Sequence, residues 1–181
     1  MIVAVRAQDQ AFIDALAELT FHAFRRHAPE WLPTLAAARE EVLESLQSGR
    51  QSFALVDASV APIGWIAVEA QGARVWEIHP IAVRVADQGK GHGRALVEHV
   101  ERLARATGIL TLFASTSDEV GATSLSGVDL YADPVGALAS ARWQESHACE
   151  FWRRVGFKLV GVLPDAEGPG KPSIHFAKAV R

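Results

Sequence analysis

The sequence predicts an α/β or α+β protein around one central sheet, with all 181 residues in a single domain. Short β-rich runs such as "SFALVD" (52–57) and "ILTLFAST" (109–116) alternate with segments whose apolar residues recur at helical spacing. A glycine-rich stretch, "QGKGHG" (88–93), runs straight into one of those helical segments. No internal repeat or low-complexity tract interrupts the mixture.

Each element has a local reason. "IVAVR" (2–6) alternates and reads as a strand. Asp9 is placed to cap a helix over 10–24, with Phe12, Leu16, Leu19 and Ala23 on one face. Pro29 and Pro33 break the chain over 27–33. A second helix is expected from Thr34 to Gln47, with Gly49 suited to a left-handed cap. "SFALVD" and "PIGWIAVEA" (62–70) read as neighbouring strands.

"RVWEIHPIAV" (74–83) is a longer strand, and Pro80 has no N–H to give a ladder, so an edge or a bulge is expected there. Leu96, Val100, Leu103 and Ala104 mark a helix over 94–106 that Gly108 ends, and "ILTLFAST" is the next strand. Residues 117–146 form a long polar insertion without periodicity, a length that marks a functional or disordered segment. "HACEFWRRVGF" (147–157) is a short helix closed by Gly156; "KLVGVLP" (158–164) and "IHFAKAV" (174–180) are strands around a loop.

Composition narrows the function classes. Apolar residues are 49% and charged residues 22%, an ordinary globular balance, and a net charge of −3 argues against nucleic acid as the main partner. The one cysteine, Cys149, excludes an internal disulfide and a multi-cysteine metal site. Seven histidines without HExxH-like spacing predict no metal. No apolar run approaches the ~20 residues of a membrane span, and no secretory signal is visible, so a cytoplasmic protein without membrane contact is expected.

A glycine-rich helix start is an anion site, because unpaired N–H groups and the helix dipole meet there. A nucleotide-binding GxxxxGK[ST] loop is missing: "QGKGHGRA" lacks it, and in "GPGKPS" proline follows the lysine. A dinucleotide GxGxxG loop belongs after the first strand, not in mid-chain. Gln88, Gly91 and Gly93 instead occupy the defining positions of Q/R-x-x-G-x-G/A, the acetyl-CoA pyrophosphate loop of the GNAT superfamily of N-acetyltransferases, which this chain resembles. With "GW", "WEIHPIAV", "TSDEVGATSLSGVDLY" and "HACEFWRRVGFKLVGVLPDAEGPGKPSIHFAKAV", residues 62–181 are similar to the bacterial aminoglycoside 6'-N-acetyltransferases.

That resemblance implies a GNAT fold, with a single mixed, mostly antiparallel sheet flanked by helices. It also implies acetyl-CoA as cosubstrate, an aminoglycoside or other polyamine-like acceptor, and a homodimer. Gln88, Gly89, Lys90, Gly91, His92 and Gly93 then cradle the pyrophosphate, with Lys90 and Arg94 as added positive charge. Ile81, Ala82 and Val83 pair with the pantetheine arm as an added strand does, and the Ile81 N–H faces the developing oxyanion.

Glu77 and His79 lie two apart on one strand and share a face. An ammonium must lose a proton before it attacks, so Glu77 is the candidate base, directly or through water, and His79 holds substrate or orders that water. The alternative is the polar face of a half-exposed strand. Eight Asp or Glu against four Arg or Lys in 117–167 suit a polycation, with Asp118, Glu119 and Asp129 matching the subfamily; a solvated surface is the competing reading. Trp31 stacks on a sugar or plugs the core.

Where the superfamily commonly has a tyrosine acid, this chain has Trp152, whose indole donates a hydrogen bond but is no general acid. Trp152 is therefore expected against the pantetheine arm. The helix start near Ser146 and His147 is expected to help the thiolate leave. The rival readings are the same fold acting on a polyamine or a protein N-terminus, and a non-catalytic acyl-CoA sensor.

Overall fold

A side-chain cap opens each of the first two helices, at Asp9 as expected and at Thr34. The computed structural model describes residues 1–181, and its contacts group into two compact units, Met1–Leu112 with Val180–Arg181, and Phe113–Ala179. In the first unit Asp9 accepts the Phe12 N–H at 3.0 Å and starts α1 (Gln10–Phe24). Thr34 accepts the Ala37 N–H at 3.1 Å and starts α2 (Leu35–Glu44). Strands β1 (Ile2–Ala4), β2 (Arg50–Val56), β3 (Pro62–Gly72) and β4 (Val75–Val83) pair antiparallel in sequence order, and α3 (His92–Ala106) follows.

The core of this unit sets α1 against the sheet: Ile13, Leu16 and Ala17 pack with Ala54, Val56, Trp65 and Ala67. The buried face of α1 differs from the expected one. Phe12 and Ala23 are only partly covered, while Ile13 and Thr20 are buried. The cause is a polar anchor: the Trp65 indole N–H donates to Thr20 Oγ1 at 2.7 Å, and that hydroxyl donates to the Leu16 carbonyl at 2.7 Å. α2 stops three residues before the predicted Gln47. Ser45 donates to the Val42 carbonyl, and Ser52 donates to the Ser45 carbonyl, drawing backbone acceptors away from further helix.

Pro80 breaks the β3–β4 register as expected. Ile66 pairs with Ile81 and Val68 with Ile78, so His79 and Pro80 stand opposite the single residue Ala67, with a cis His79–Pro80 bond.

The second unit holds most of β5 (Thr111–Ser117), then α4 (Pro134–Ala139), α5 (Ala148–Arg154), β6 (Lys158–Leu163) and β7 (Ser173–Ala179). Strand order is β1-β2-β3-β4-β5-β7-β6 in a seven-stranded mixed sheet, which with the helices is the GNAT α/β fold. The insertion is tied down rather than loose. Thr123 bridges Trp143, Ser124 N–H donates to the Arg142 carbonyl, and Gly127 N–H donates to the Gly170 carbonyl. α4 escaped the periodicity reading because it is six residues long, although Asp133 followed by Pro134 is a cap and a first-turn proline.

Replacing Thr20 by Val keeps volume but strands the buried indole N–H. Unfolding by urea should show a loss of about 1–3 kcal/mol, and Thr20→Ser should retain most of the stability.

Candidate active site

Four of the five α-helices carry a side-chain cap: Asp9, Thr34, Asp133 and His147 each accept a backbone N–H. α3 does not. Its N-cap is Gly91, left-handed at φ +86°, with no side-chain hydrogen bond. Gly89 is also left-handed at φ +76°, and a Cβ at either glycine would meet nothing within 4 Å. The start of a fifteen-residue helix is thus open to an anion, and the residues present fit a pyrophosphate.

The loop is preformed. Gln88 Nε2 donates to the Val83 carbonyl at 3.1 Å, fastening it to the end of β4. Asp87, which the sequence reading passed over, accepts from both Arg84 and Lys90, and these partners hold its carboxyl below the usual range. Lys90 is therefore engaged in the free protein, at 2.8 Å from Asp87. The backbone amides of Gly91, His92 and Gly93 stand at the start of α3, and Arg94 is exposed on its first turn.

Trp76, Ile78, Pro80 and Ala82 of β4 are buried, while Glu77, His79, Ile81 and Val83 are half-buried. The Val68–Ile78 and Ile66–Ile81 pairs put Ile78 and Ile81 on one face of the sheet, so the side chain of Glu77 lies on the opposite face from that of Ile81. Glu77 accepts from Gln71 Nε2 at 2.6 Å. The Arg84 N–H donates to the Ile63 carbonyl at 2.8 Å, and alternation in an antiparallel ladder then turns the Ile81 N–H away from β3. Trp31 lies with its ring centroid 5.3 Å from His79 and 4.7 Å from Phe24, so it joins His79. The His79 Nε2 is 3.4 Å from Glu41 Oε1. Burial, reinforced by Glu44 and Glu69 against Arg50, pushes the Glu41 carboxyl up to about 7. Burial also lowers His79.

In the second unit the expected substrate carboxylates divide. Asp118 is 0% exposed, and its two oxygens accept the Ala122 and Thr123 N–H groups at 2.8 Å each. It holds the insertion's own backbone, which corrects its assignment as a substrate contact. Glu119 is half-buried; Asp129 is exposed and accepts the Tyr131 N–H. Glu150 binds Arg153, Arg154 and Trp143, and Asp165 accepts the Gly170 N–H.

Trp152 is 3% exposed, with ring centroids 5.0 Å from Phe151 and 4.9 Å from Phe157. Its faces are occupied by packing, not offered to a pantetheine arm. The His147 ring accepts the Cys149 N–H through Nδ1 and contacts the Ser117 carbonyl through Nε2. The start of α5 is thereby capped from within, contrary to its expected role at the thiolate. Burial pushes the Cys149 thiol up to about 12, so it is packing.

Residues 13–137 match the model of the acetyltransferase (GNAT) family. The chain belongs to that family. A solved aminoglycoside 6'-N-acetyltransferase complexed with coenzyme A is 31% identical, with TM-score 0.87 over 100% of this chain and 97% of that one. The aminoglycoside 6'-N-acetyltransferase from Enterococcus faecium is 30% identical, with TM-score 0.85 and the same coverage. Aminoglycoside 6'-acetyltransferase type Ii is 26% identical, with TM-score 0.71 over 100% and 97%. No curated protein sequence matches the chain.

In this acetyltransferase the residue that sequence reasoning missed is Glu41. Its helix period alone marks it, since it falls beside Val42 and three after Ala38, both 0% exposed. A carboxyl raised by burial stabilises the fold fully below its unfolded pKa of about 4.3, and that stability is lost as pH rises through about 7. Relative to Glu41→Gln, the wild-type acetyltransferase should therefore lose on the order of 2 kcal/mol between pH 5 and pH 8, read by urea unfolding at each pH.

Proposed function

We propose that this protein moves acetyl from acetyl-CoA to the 6'-amine of an aminoglycoside by direct attack of the amine on the thioester, with 1–181 acting as one catalytic domain. The observation that supports this best is the full-length likeness, at 31% identity, to an aminoglycoside 6'-N-acetyltransferase complexed with coenzyme A. The pyrophosphate lies at the uncapped start of α3, against the amides of the 88–93 loop, with Arg94 adding charge. The backbone of Ile81, Ala82 and Val83 pairs with the pantetheine amides.

Protons and charge set the remaining roles. Glu77 takes the ammonium proton, directly or through a water, and His79 holds the amine or that water. The Ile81 N–H, turned away from β3, meets the oxyanion of the tetrahedral intermediate. The thiolate leaves without a side-chain acid at 152, since an alkyl thiol with a pKa near ~8.5 departs readily. Glu119 and Asp129 are the proposed carboxylates for further amines of a polycation.

A second reading is a smaller amine such as a polyamine or a peptide N-terminus. It is favoured by the internal engagement of Asp118, Asp133, Glu150 and Asp165, which thins the expected acidic wall.

Thiol release from acetyl-CoA with a panel of amines tests both readings. A kanamycin-type substrate should give the highest kcat/KM, with polyamines and peptides far behind; a polyamine in first place would favour the second reading. Glu77→Gln keeps shape and removes basicity, so kcat should fall by about 10²–10⁴ with coenzyme A affinity unchanged in calorimetry. Full turnover at neutral pH in that variant would assign the proton to another acceptor.

A further inference from the structure

Buried carboxylates are normally hydrogen-bonded, because an unpaired one forfeits its hydration. Glu41 departs from that rule. It is 9% exposed, and its Oε1 is buried without a hydrogen-bond partner. Arg50 is paired with Glu69 at 2.8 Å and gives that oxygen no hydrogen bond, though its charge partly offsets the effect of burial. Oε1 is instead 3.4 Å from His79 Nε2, slightly longer than a good hydrogen bond. Trp31 lies against the same imidazole and half-buried His79 keeps a route to solvent.

We propose that Glu41 is a positioning residue for His79: its carboxylate takes the Nε2–H and leaves Nδ1 as the ring's hydrogen-bond acceptor for the incoming amine. This deepens the reading of β4 as the amine site and rests on it. An imidazole with one nitrogen committed to a carboxylate has a fixed tautomer. An ammonium offers only donors, so it requires the acceptor form of Nδ1.

The arrangement also reverses with pH. A protonated Glu41 donates its O–H to Nε2, which moves the ring proton to Nδ1 and presents a donor to a donor. The facing groups are Glu44 on α2, Arg50 on β2 and Glu69 on β3. Burial raises Glu41 to about 7 and lowers His79, so on acidification the carboxyl takes up its proton before the ring does. Affinity for the amine therefore falls as pH drops through about 7, while the coenzyme A loop, which holds neither group, is unaffected.

The test is nitrogen NMR of histidine-labelled full-length protein from pH 5.5 to 8.5, without substrate. Wild type should show His79 as the Nε2–H tautomer at pH 8 and convert toward the Nδ1–H form through about pH 7. Glu41→Gln should lose that conversion. In steady-state kinetics with a kanamycin-type amine, the wild-type KM should rise about tenfold more than the variant's between pH 8 and pH 6, with coenzyme A affinity equal in both. A His79 tautomer that stays constant until the ring itself becomes charged would overturn the proposal, and so would a Glu41→Gln protein with the wild-type titration. The wild-type spectra decide the matter even where the variant fails to fold. If no amine is acetylated, the function reading fails while the tautomer result still stands or falls by itself.

Discussion

A proline has no N–H, and that single deficiency at position 80 organises the strand on which the proposed chemistry rests. The β3–β4 ladder cannot run through it, so two residues of β4 stand opposite one of β3 between the Ile66–Ile81 and Val68–Ile78 pairs. Ile78, Pro80 and Ala82 are still buried, and Glu77, His79 and Ile81 stay half-buried within five residues of one strand. The proposed base, the proposed amine-holding ring and the proposed oxyanion donor are thus carried by one strand. Sites on strands are positioned more firmly than sites on loops.

The same logic of a withheld partner recurs at α3 and at Glu41. α1, α2, α4 and α5 each have a side chain capping the first turn, whereas α3 begins at a left-handed glycine with no side-chain cap, where the coenzyme A pyrophosphate is proposed to bind. Glu41 is buried, yet its Oε1 lacks a hydrogen-bond partner and faces an imidazole instead. Groups left unsatisfied by the fold are destabilising unless a ligand or a mechanism uses them. Both lie in the unit that also contains β4.

Local signals carried the sequence reading far. The cap at Asp9, the break at Pro80 and the helix-ending glycines at 108 and 156 are properties of a few adjacent residues, and each stands where it was expected, whereas α2 ends before Gly49 can cap it. What failed depends on partners distant in sequence. The buried face of α1 is set by Trp65, forty-five residues away, reaching Thr20. Asp118 reads as an acidic surface residue until the backbone of the loop folds over it. Trp152 reads as a cofactor contact until Phe157 and Phe151 cover its faces. Glu41 lies in a part of the chain with no motif, and only the folded α2 brings it to His79.

The account stands most directly on where the acetyl group goes. Incubating the protein with carbon-13-labelled acetyl-CoA and a kanamycin-type aminoglycoside, then locating the new amide by NMR, reads that position without assumption about the site. The account predicts one acetyl group, on the 6'-nitrogen, and no reaction with an analogue bearing a 6'-hydroxyl. Acetylation at another nitrogen, or equal reaction of the 6'-hydroxyl analogue, would contradict it.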